Sequence, residues 1–94
     1  MTMPDERTRA LLWSGSFLIE IARDPNLPLA LRRRAVVIAR HYPTIEDVTV
    51  MARLRHPSGL GVGLALPQDV PGWRESCRTE PLTYGTRLEW PEGE

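Results

Sequence analysis

The first part of the chain carries apolar residues in two strips at helical spacing. With 100° of rotation per residue, one strip collects Leu11, Leu12, Gly15, Leu18, Ile19 and Ala22, and the other, nearly opposite, collects Ala10, Trp13, Phe17 and Ile21. A surface helix normally has a single apolar stripe, so both sides of this helix are expected to be covered. Thr2 is the expected N-cap, and Pro25 ends the helix because proline disfavours helical geometry in the residue before it.

A second helical pattern follows after the short link Asp-Pro-Asn-Leu. It begins near Pro28, a favoured first-turn residue, and runs to about His41, where Tyr42 and Pro43 stop it. Its expected apolar face consists of Leu27, Leu31, Ala35, Ile38, Ala39 and Tyr42. Because the link is short, we expect the two helices to form an antiparallel hairpin.

A third, short helix is predicted to begin at Thr44. Thr44 and Asp47 have the spacing of a capping box, in which two side chains satisfy free backbone N–H groups at the start of a helix. The residues that follow are rich in β-branched side chains, so a strand is the alternative for residues 44–54.

After Arg55 the apolar spacing changes from a helical period to simple alternation. The alternating positions are Leu60, Val62, Leu64 and Leu66, and later Leu82, Tyr84, Thr86, Leu88 and Trp90. Alternation is typical of strands with one buried face, and a two-stranded ribbon is stable only when it packs on another element. The strip of the first helix that contains Trp13 and Phe17 is the expected contact, and Trp90 is expected in the core.

These elements predict a single α+β domain over residues 1–94, with residues 1–55 mostly helical and residues 56–94 loop-rich with two strands. The expected fold is an N-terminal antiparallel αα-hairpin, a short third helix and a C-terminal two-stranded antiparallel β-ribbon packed on the helices. A chain of 94 residues buries only about 60–65% of the surface that its unfolded form exposes. Its stability is therefore expected to be marginal, and association would strengthen it.

The charge of the chain is balanced overall but unevenly distributed. All twelve basic residues are arginine, whose planar guanidinium group suits carboxylate or phosphate. Residues 28–56 hold six arginines and two acids, a net +4, and residues 67–94 hold three arginines and six acids, a net −3. Such asymmetry suits a nucleic-acid patch, but it also suits pairing within the chain or between copies.

Cysteine content and hydrophobicity bear on the compartment. Cys77 is alone, which excludes an internal disulfide and is compatible with a reducing cytoplasm. The first residues have no signal-peptide pattern, and no apolar run has the length of a membrane span. We therefore expect a cytoplasmic protein that does not enter a membrane.

The arginines of the second helix are the first candidate functional feature. Arg32, Arg33 and Arg40 share an outward quadrant of the helix, Val36 lies inside that quadrant, and Val37 lies just beyond it. Three interpretations are open: a solvated helix exterior, a nucleic-acid contact, or a protein interface. Exposed valines beside arginines favour a protein interface over nucleic acid, since a nucleic-acid face normally carries further basic groups and stacking aromatics.

His41 and Trp73 complete the set of candidate binding residues. His41 could act with Arg40 as a general base or anion ligand, but capping of the helix C-terminus by its ring is the favoured interpretation. Trp73 lies in a long irregular link, where aromatic side chains are often binding anchors. The candidates are Arg32, Arg33, Val36, Val37, Arg40, His41 and Trp73. One cysteine and two distant histidines make no metal signature, and no cofactor motif is present.

Two segments, MTMPDERTRALL and RRRAVVIARHYPT, resemble a family of short, functionally uncharacterised bacterial proteins. Members of that family share an MTMPDERTRAL start and an RHYPT motif. The resemblance covers about the first half of the chain, and the half from GLGVGLALP onward departs from it. It implies that Arg40, His41, Tyr42 and Pro43 form a defined feature, and it brings no activity, cofactor or catalytic residue.

Three functions follow as hypotheses. The leading one is a small cytoplasmic protein-interaction module without catalysis, which self-associates as a homodimer or binds another protein. The alternative is a nucleic-acid-binding accessory or regulatory protein that uses Arg32, Arg33, Arg40, Arg53 and Arg55. A small enzyme using His41 with Arg40 has the least support, because no acid, nucleophile and orienting group can be placed together.

Overall fold

The computed structural model describes residues 3–54 and 63–92. These residues form three α-helices, which are α1 (Pro4–Arg23), α2 (Leu29–Ala39) and α3 (Ile45–Arg53), and a short 3₁₀ turn at Pro67–Asp69. The described residues contain no β-strand, so the α+β prediction with a C-terminal ribbon is wrong. The molecule consists of helices and an irregular C-terminal segment that packs on them.

Helix α1 begins one residue later than the sequence predicted. Met3 is its N-cap, and the Met3 backbone N–H donates to Oε1 of Glu6 at 2.9 Å. Pro4 occupies the first turn, where its missing N–H costs nothing, and two acidic residues favour the positive end of the helix dipole. The expected cap, Thr2, lies outside the described residues. The helix ends at Arg23, before Asp24 in extended geometry.

Helix α2 packs antiparallel on α1, and the predicted burial of Ala35 and Ala39 is confirmed, but the buried face is rotated from the one expected. Its buried residues are Ala35, Val36 and Ala39, whereas Leu31 and Ile38 are exposed. Small alanines and Val36 fit against α1, and the larger side chains on either side turn to solvent. Val36 is 0% exposed, so the prediction that it lies on the surface among arginines is wrong.

Helix α3 resolves the alternative that the sequence left open for residues 44–54. The Thr44 hydroxyl accepts from the backbone N–H of Asp47 at 3.2 Å, and the Asp47 carboxylate accepts from the backbone N–H of Thr44 at 3.0 Å. Local capping therefore prevails over the β propensity of the valines. Val48 is fully buried beneath the helix.

Residues 63–92 replace the expected ribbon with an extended segment that docks on the helices. Its carbonyl groups bond to helix groups: Gly63 O accepts from Arg7 Nε at 2.9 Å, Ala65 O from Thr8 Oγ1 at 2.7 Å, and Leu82 O from Ile45 N at 2.8 Å. Four prolines, Pro67, Pro71, Pro81 and Pro91, interrupt the segment, and proline cannot donate to a strand ladder. The alternating leucines fill separate gaps between helices instead of facing a partner strand. Leu60 and Val62 lie outside the described residues.

The buried side chains form three adjoining clusters along α1. They are Leu12, Val48, Val70 and Trp73, then Ile19, Ala39 and Leu82, then Ala22, Ala35 and Val36. Trp73 is only 5% exposed, and its Nε1 donates to Pro67 O at 3.0 Å, so its expected role as a surface anchor is wrong. Gly72 has a φ of +77°, and this left-handed turn directs the chain into Trp73.

Two polar side chains are buried in α1 and both have partners. The Thr8 hydroxyl donates to Ala65 O, and the Ser16 hydroxyl lies 2.9 Å from Thr79 Oγ1. Between them, Gly15 permits a close approach, because a Cβ atom there would lie 3.1 Å from Leu82 Cβ. These contacts fix the position of the C-terminal segment along α1.

Candidate functional site

Arg32 forms a hydrogen bond within the helical hairpin. Its Nε donates to Ala22 O at 3.2 Å, at the carboxyl end of α1. The last carbonyls of a helix have no intrahelical donor, and a cation there also interacts favourably with the helix dipole. Arg32 therefore stabilises the end of α1 and is not free to form the expected outward face.

Arg33 and Arg40 both contact the C-terminal segment. Arg33 Nε donates to Pro91 O at 2.9 Å, and its guanidinium carbon lies 5.5 Å from the centre of the Trp90 ring. The guanidinium carbon of Arg40 lies 5.4 Å from the same ring centre. Both contacts are cation–π interactions. Trp90 is 42% exposed, so the prediction that it belongs to the core is wrong.

The candidate surface of arginines and valines is therefore not assembled as a whole. Val36 is buried and Arg32 turns inward, while Val37, at 47% exposed, and Arg34 remain on the surface. Arg53 is exposed at the end of α3, on another helix, and Arg55 lies outside the described residues. The uneven charge distribution is in part consistent with the observed arrangement, because the basic helix α2 contacts the acidic C-terminal part of the chain. The contact, however, uses an aromatic ring and a carbonyl instead of carboxylates.

A pocket of about 440 Å³ lies at the corner between α2 and α3. Arg40, His41 and Tyr42 line it from the end of α2, and residues 82–88 cover it, with Arg87 among the lining residues. The His41 ring is exposed and forms no hydrogen bond with the described residues, so the expected capping of α2 by this ring is not formed. The structure thus brings Arg40 and His41 together with Arg87, which lies forty-six positions after His41 and which no sequence motif indicated.

One carboxylate, Asp47, faces this pocket and is already occupied by hydrogen bonds. The Tyr84 hydroxyl donates to Asp47 Oδ1 at 2.5 Å, and the Thr44 backbone N–H and hydroxyl both donate to Oδ2. The hydrogen bond from Tyr84, followed by those from Thr44, lowers the pKa of Asp47 below its ordinary value. The same bond raises the pKa of Tyr84 above its ordinary value.

Most of the second apolar strip of α1 stays exposed in the described structure, while Ile21 packs against the core. Phe17 is 58% exposed and Trp13 is 40% exposed, although the Trp13 Nε1 atom donates to Trp73 O at 3.0 Å. The C-terminal segment runs along the neighbouring side of α1, where Arg78 pairs with Glu20 at 3.6 Å. The prediction that a ribbon would cover this strip is therefore wrong, and Ala10, Trp13 and Phe17 are exposed to solvent.

The described residues contain neither a metal site nor a membrane-spanning helix. Within residues 3–54 and 63–92, no three His, Cys, Asp or Glu side chains lie together as a metal site would require. None of the helices in this part of the chain has the length and apolar character needed to cross a bilayer.

Comparison of the chain with protein-family models, with curated proteins and with solved structures finds no match. The resemblance of the first half to a bacterial family with an RHYPT motif stays a prediction. The corner lined by Arg40, His41 and Tyr42 is the structural counterpart of that motif.

Proposed function

We propose that the protein is a small cytoplasmic interaction module that associates with a second copy of itself and has no catalytic activity. The observation that supports this proposal is the exposed part of the second apolar strip of α1, defined as Ala10, Trp13 and Phe17. A helix with apolar residues on two faces needs a partner for each of them. Here α2 and the C-terminal segment account for one face, and the second copy would cover the other.

The exposed fractions indicate how strong such an association can be. An aromatic side chain presents about 200 Å² in total, so Phe17 and Trp13 each leave roughly 100 Å² in water. At about 25 cal/mol per Å², covering each one contributes about 2.5 kcal/mol before the cost of association. The strip and its rim fall below the roughly 800 Å² per partner of a standard interface. We therefore expect a weak dimer, with a dissociation constant of roughly micromolar or higher.

The charges beside the strip favour an antiparallel arrangement of two α1 helices. When Phe17 of each copy lies next to Ser14 of the other, Arg9 of one copy comes within about two residues, or ~3 Å along the axis, of Glu20 of the other. Their ion pairs within the chain are long, since Arg9 lies 3.8 Å from Asp5 and Glu20 lies 3.6 Å from Arg78, and the Arg9 guanidinium carbon also lies 5.7 Å from the centre of the Trp13 ring. Such pairs would set the direction of packing more than its strength.

Sedimentation velocity over ~10 µM to ~1 mM protein tests the proposal. We expect the wild-type chain to shift toward a dimer with concentration, and the variant Phe17→Asp to stay monomeric because it places a carboxylate in the middle of the strip. The variant Val37→Asp is the matched control, since Val37 is a similarly exposed apolar residue on α2. Circular dichroism confirms that each variant is folded.

Two results would contradict this assignment. A wild-type chain that is strictly monomeric at ~1 mM would exclude self-association of biological strength. A dimer that Val37→Asp disrupts and Phe17→Asp leaves intact would place the interface on α2 instead.

The nucleic-acid alternative has less support. Arg32 and Arg33 donate through Nε to backbone carbonyls of their own chain. Groups that hold the fold together are less available to neutralise phosphates along a nucleic-acid backbone.

A further inference from the structure

The pocket at the corner between α2 and α3 has two arginines and one carboxylate, Asp47, among its lining residues, and so carries a net positive charge. Arg40 and Arg87 both line it, and neither forms an ion pair with a carboxylate of the described residues. Arg87 is held in place by its own loop, because its Nη1 donates to Tyr84 O and to Thr86 O at 3.1 Å. The remaining N–H groups of its guanidinium are left for a ligand.

The one carboxylate in the pocket lining, Asp47, offsets only part of the charge of the two arginines. Asp47 accepts three hydrogen bonds from Thr44 and Tyr84, which use both of its carboxylate oxygens. Glu46 lies outside the pocket wall, and its Oε1 accepts from the Tyr84 backbone N–H at 3.1 Å. Both acids thus bind the loop that covers the pocket, and the two arginines outnumber the one acidic residue in its lining.

The other walls of the pocket suit an organic group attached to an anion. Thr83 and Thr86 supply hydroxyl groups beside Arg87, while Tyr42 and Leu88 supply an aromatic and an apolar surface. The volume of about 440 Å³ lies within the range of small-molecule sites. Arginine is the residue best suited to bind a phosphate through two parallel hydrogen bonds.

We infer that this pocket binds the phosphate group of a small phosphorylated molecule, of the size of a nucleoside monophosphate, between Arg40 and Arg87. His41 stands at the rim as a further donor. The bound molecule would rest its organic part on Tyr42 and Leu88. This pocket shares no residue with the α1 strip, so phosphate binding can be tested independently of self-association.

Titration of the isotope-labelled protein with AMP, followed by amide chemical shifts, tests the inference. Two further probes separate the parts of AMP: adenosine carries the nucleoside without the phosphate, and inorganic phosphate carries the anion without the nucleoside. We expect saturable shifts around Thr83 and Thr86 with AMP, competition by inorganic phosphate, and no saturable shift with adenosine. The variants Arg87→Gln and Arg40→Gln should each weaken AMP binding by about tenfold or more, because each removes charge-assisted hydrogen bonds.

Arg34→Gln is the matched control. It removes the same charge from an exposed position of α2 that does not line the pocket. We expect its affinity for AMP to stay within about twofold of the wild type, since a distant exposed charge is screened. Because Arg40 also contacts Trp90, Arg87→Gln provides an independent measurement if Arg40→Gln loosens the C-terminal segment.

Several outcomes would overturn the inference. They are the absence of any saturable shift with AMP at ~10 mM, equal loss of affinity in Arg34→Gln and Arg87→Gln, and adenosine binding as well as AMP. Binding of a single-stranded oligonucleotide without binding of AMP would also overturn it, in favour of a nucleic-acid surface.

Discussion

Val36 and Val37 are neighbours in the sequence, and the structure places one in the core and the other on the surface. We expect Val36→Ala to destabilise the protein and Val37→Ala to leave it nearly unchanged. The two substitutions have the same chemistry and the same gain in helix propensity, about 0.5 kcal/mol. Any difference between them therefore reports burial alone.

The expected magnitude follows from the 0% exposure of Val36. Removal of two buried methyl groups costs about 1.6 kcal/mol in transfer free energy, and the cavity they leave adds about 1 kcal/mol. After the gain in helix propensity, the net loss is about 2 kcal/mol, which lowers the midpoint of thermal unfolding of a domain of this size by about 10 °C. For Val37, at 47% exposed and with no cavity to form, we expect a change below about 0.5 kcal/mol.

Thermal and urea unfolding followed by circular dichroism, at one dilute protein concentration, measure both variants. Equal destabilisation by the two substitutions, or a larger effect of Val37→Ala, would mean that α2 buries a different face. The roles of Arg32, Arg33 and Arg40 would then be refuted as well, because the positions of these side chains depend on the same rotation of α2.

Three further predictions concern the contacts of the C-terminal segment. Trp90→Ala should destabilise the fold by about 2 kcal/mol, because it removes a half-buried ring and its two cation–π contacts, while Trp90→Phe should cost less than about 1 kcal/mol; equal losses would speak against the stacking. Thr8→Val should cost about 1–2 kcal/mol in urea unfolding, since it leaves the Ala65 carbonyl without its donor, and a neutral result would show that water replaces the hydroxyl. The lowered pKa of Asp47 means that its contribution to stability is present above the ordinary value of about 3.9 and is lost as the pH falls through the lower folded value. The difference in unfolding midpoint between wild type and Tyr84→Phe should therefore be largest near neutral pH and shrink in acid, and a difference that is constant with pH would be incompatible with this coupling.

The helices could be predicted from the sequence because their signals are local. Each signal involves only a few neighbouring residues. The signals are the proline in the first turn of α1, the short link before α2, and the capping box formed by Thr44 and Asp47. The rotation of α2 could not be predicted, because the choice between Val36 and Ile38 as the buried residue depends on which side chains α1 presents. Tertiary packing decides that choice, and the helical period alone does not.

The prediction of a ribbon in the C-terminal half was wrong because two kinds of structure can bury alternating apolar residues. A strand partner is one, and separate insertion of side chains such as Leu82 and Leu88 between helices is another. Four prolines in residues 63–92 favoured the second solution. Only part of the proposed phosphate pocket could be predicted from the sequence. Arg40 and His41 are adjacent in the chain, whereas Arg87 is brought beside them only by the fold.

The hydrogen bonds between α1 and the C-terminal segment have a kinetic consequence. The acceptor of Thr8 lies fifty-seven positions later in the chain, and the partner of Ser16 lies sixty-three positions later. During synthesis α1 is made long before either group, so the Thr8 and Ser16 hydroxyls bond to water and the apolar face of α1 stays open until residues 65–82 emerge. Contacts between such distant residues close slowly, because the loop entropy must be overcome first. The nascent helical hairpin is thus the stage at which this protein is most exposed to aggregation and to capture by chaperones.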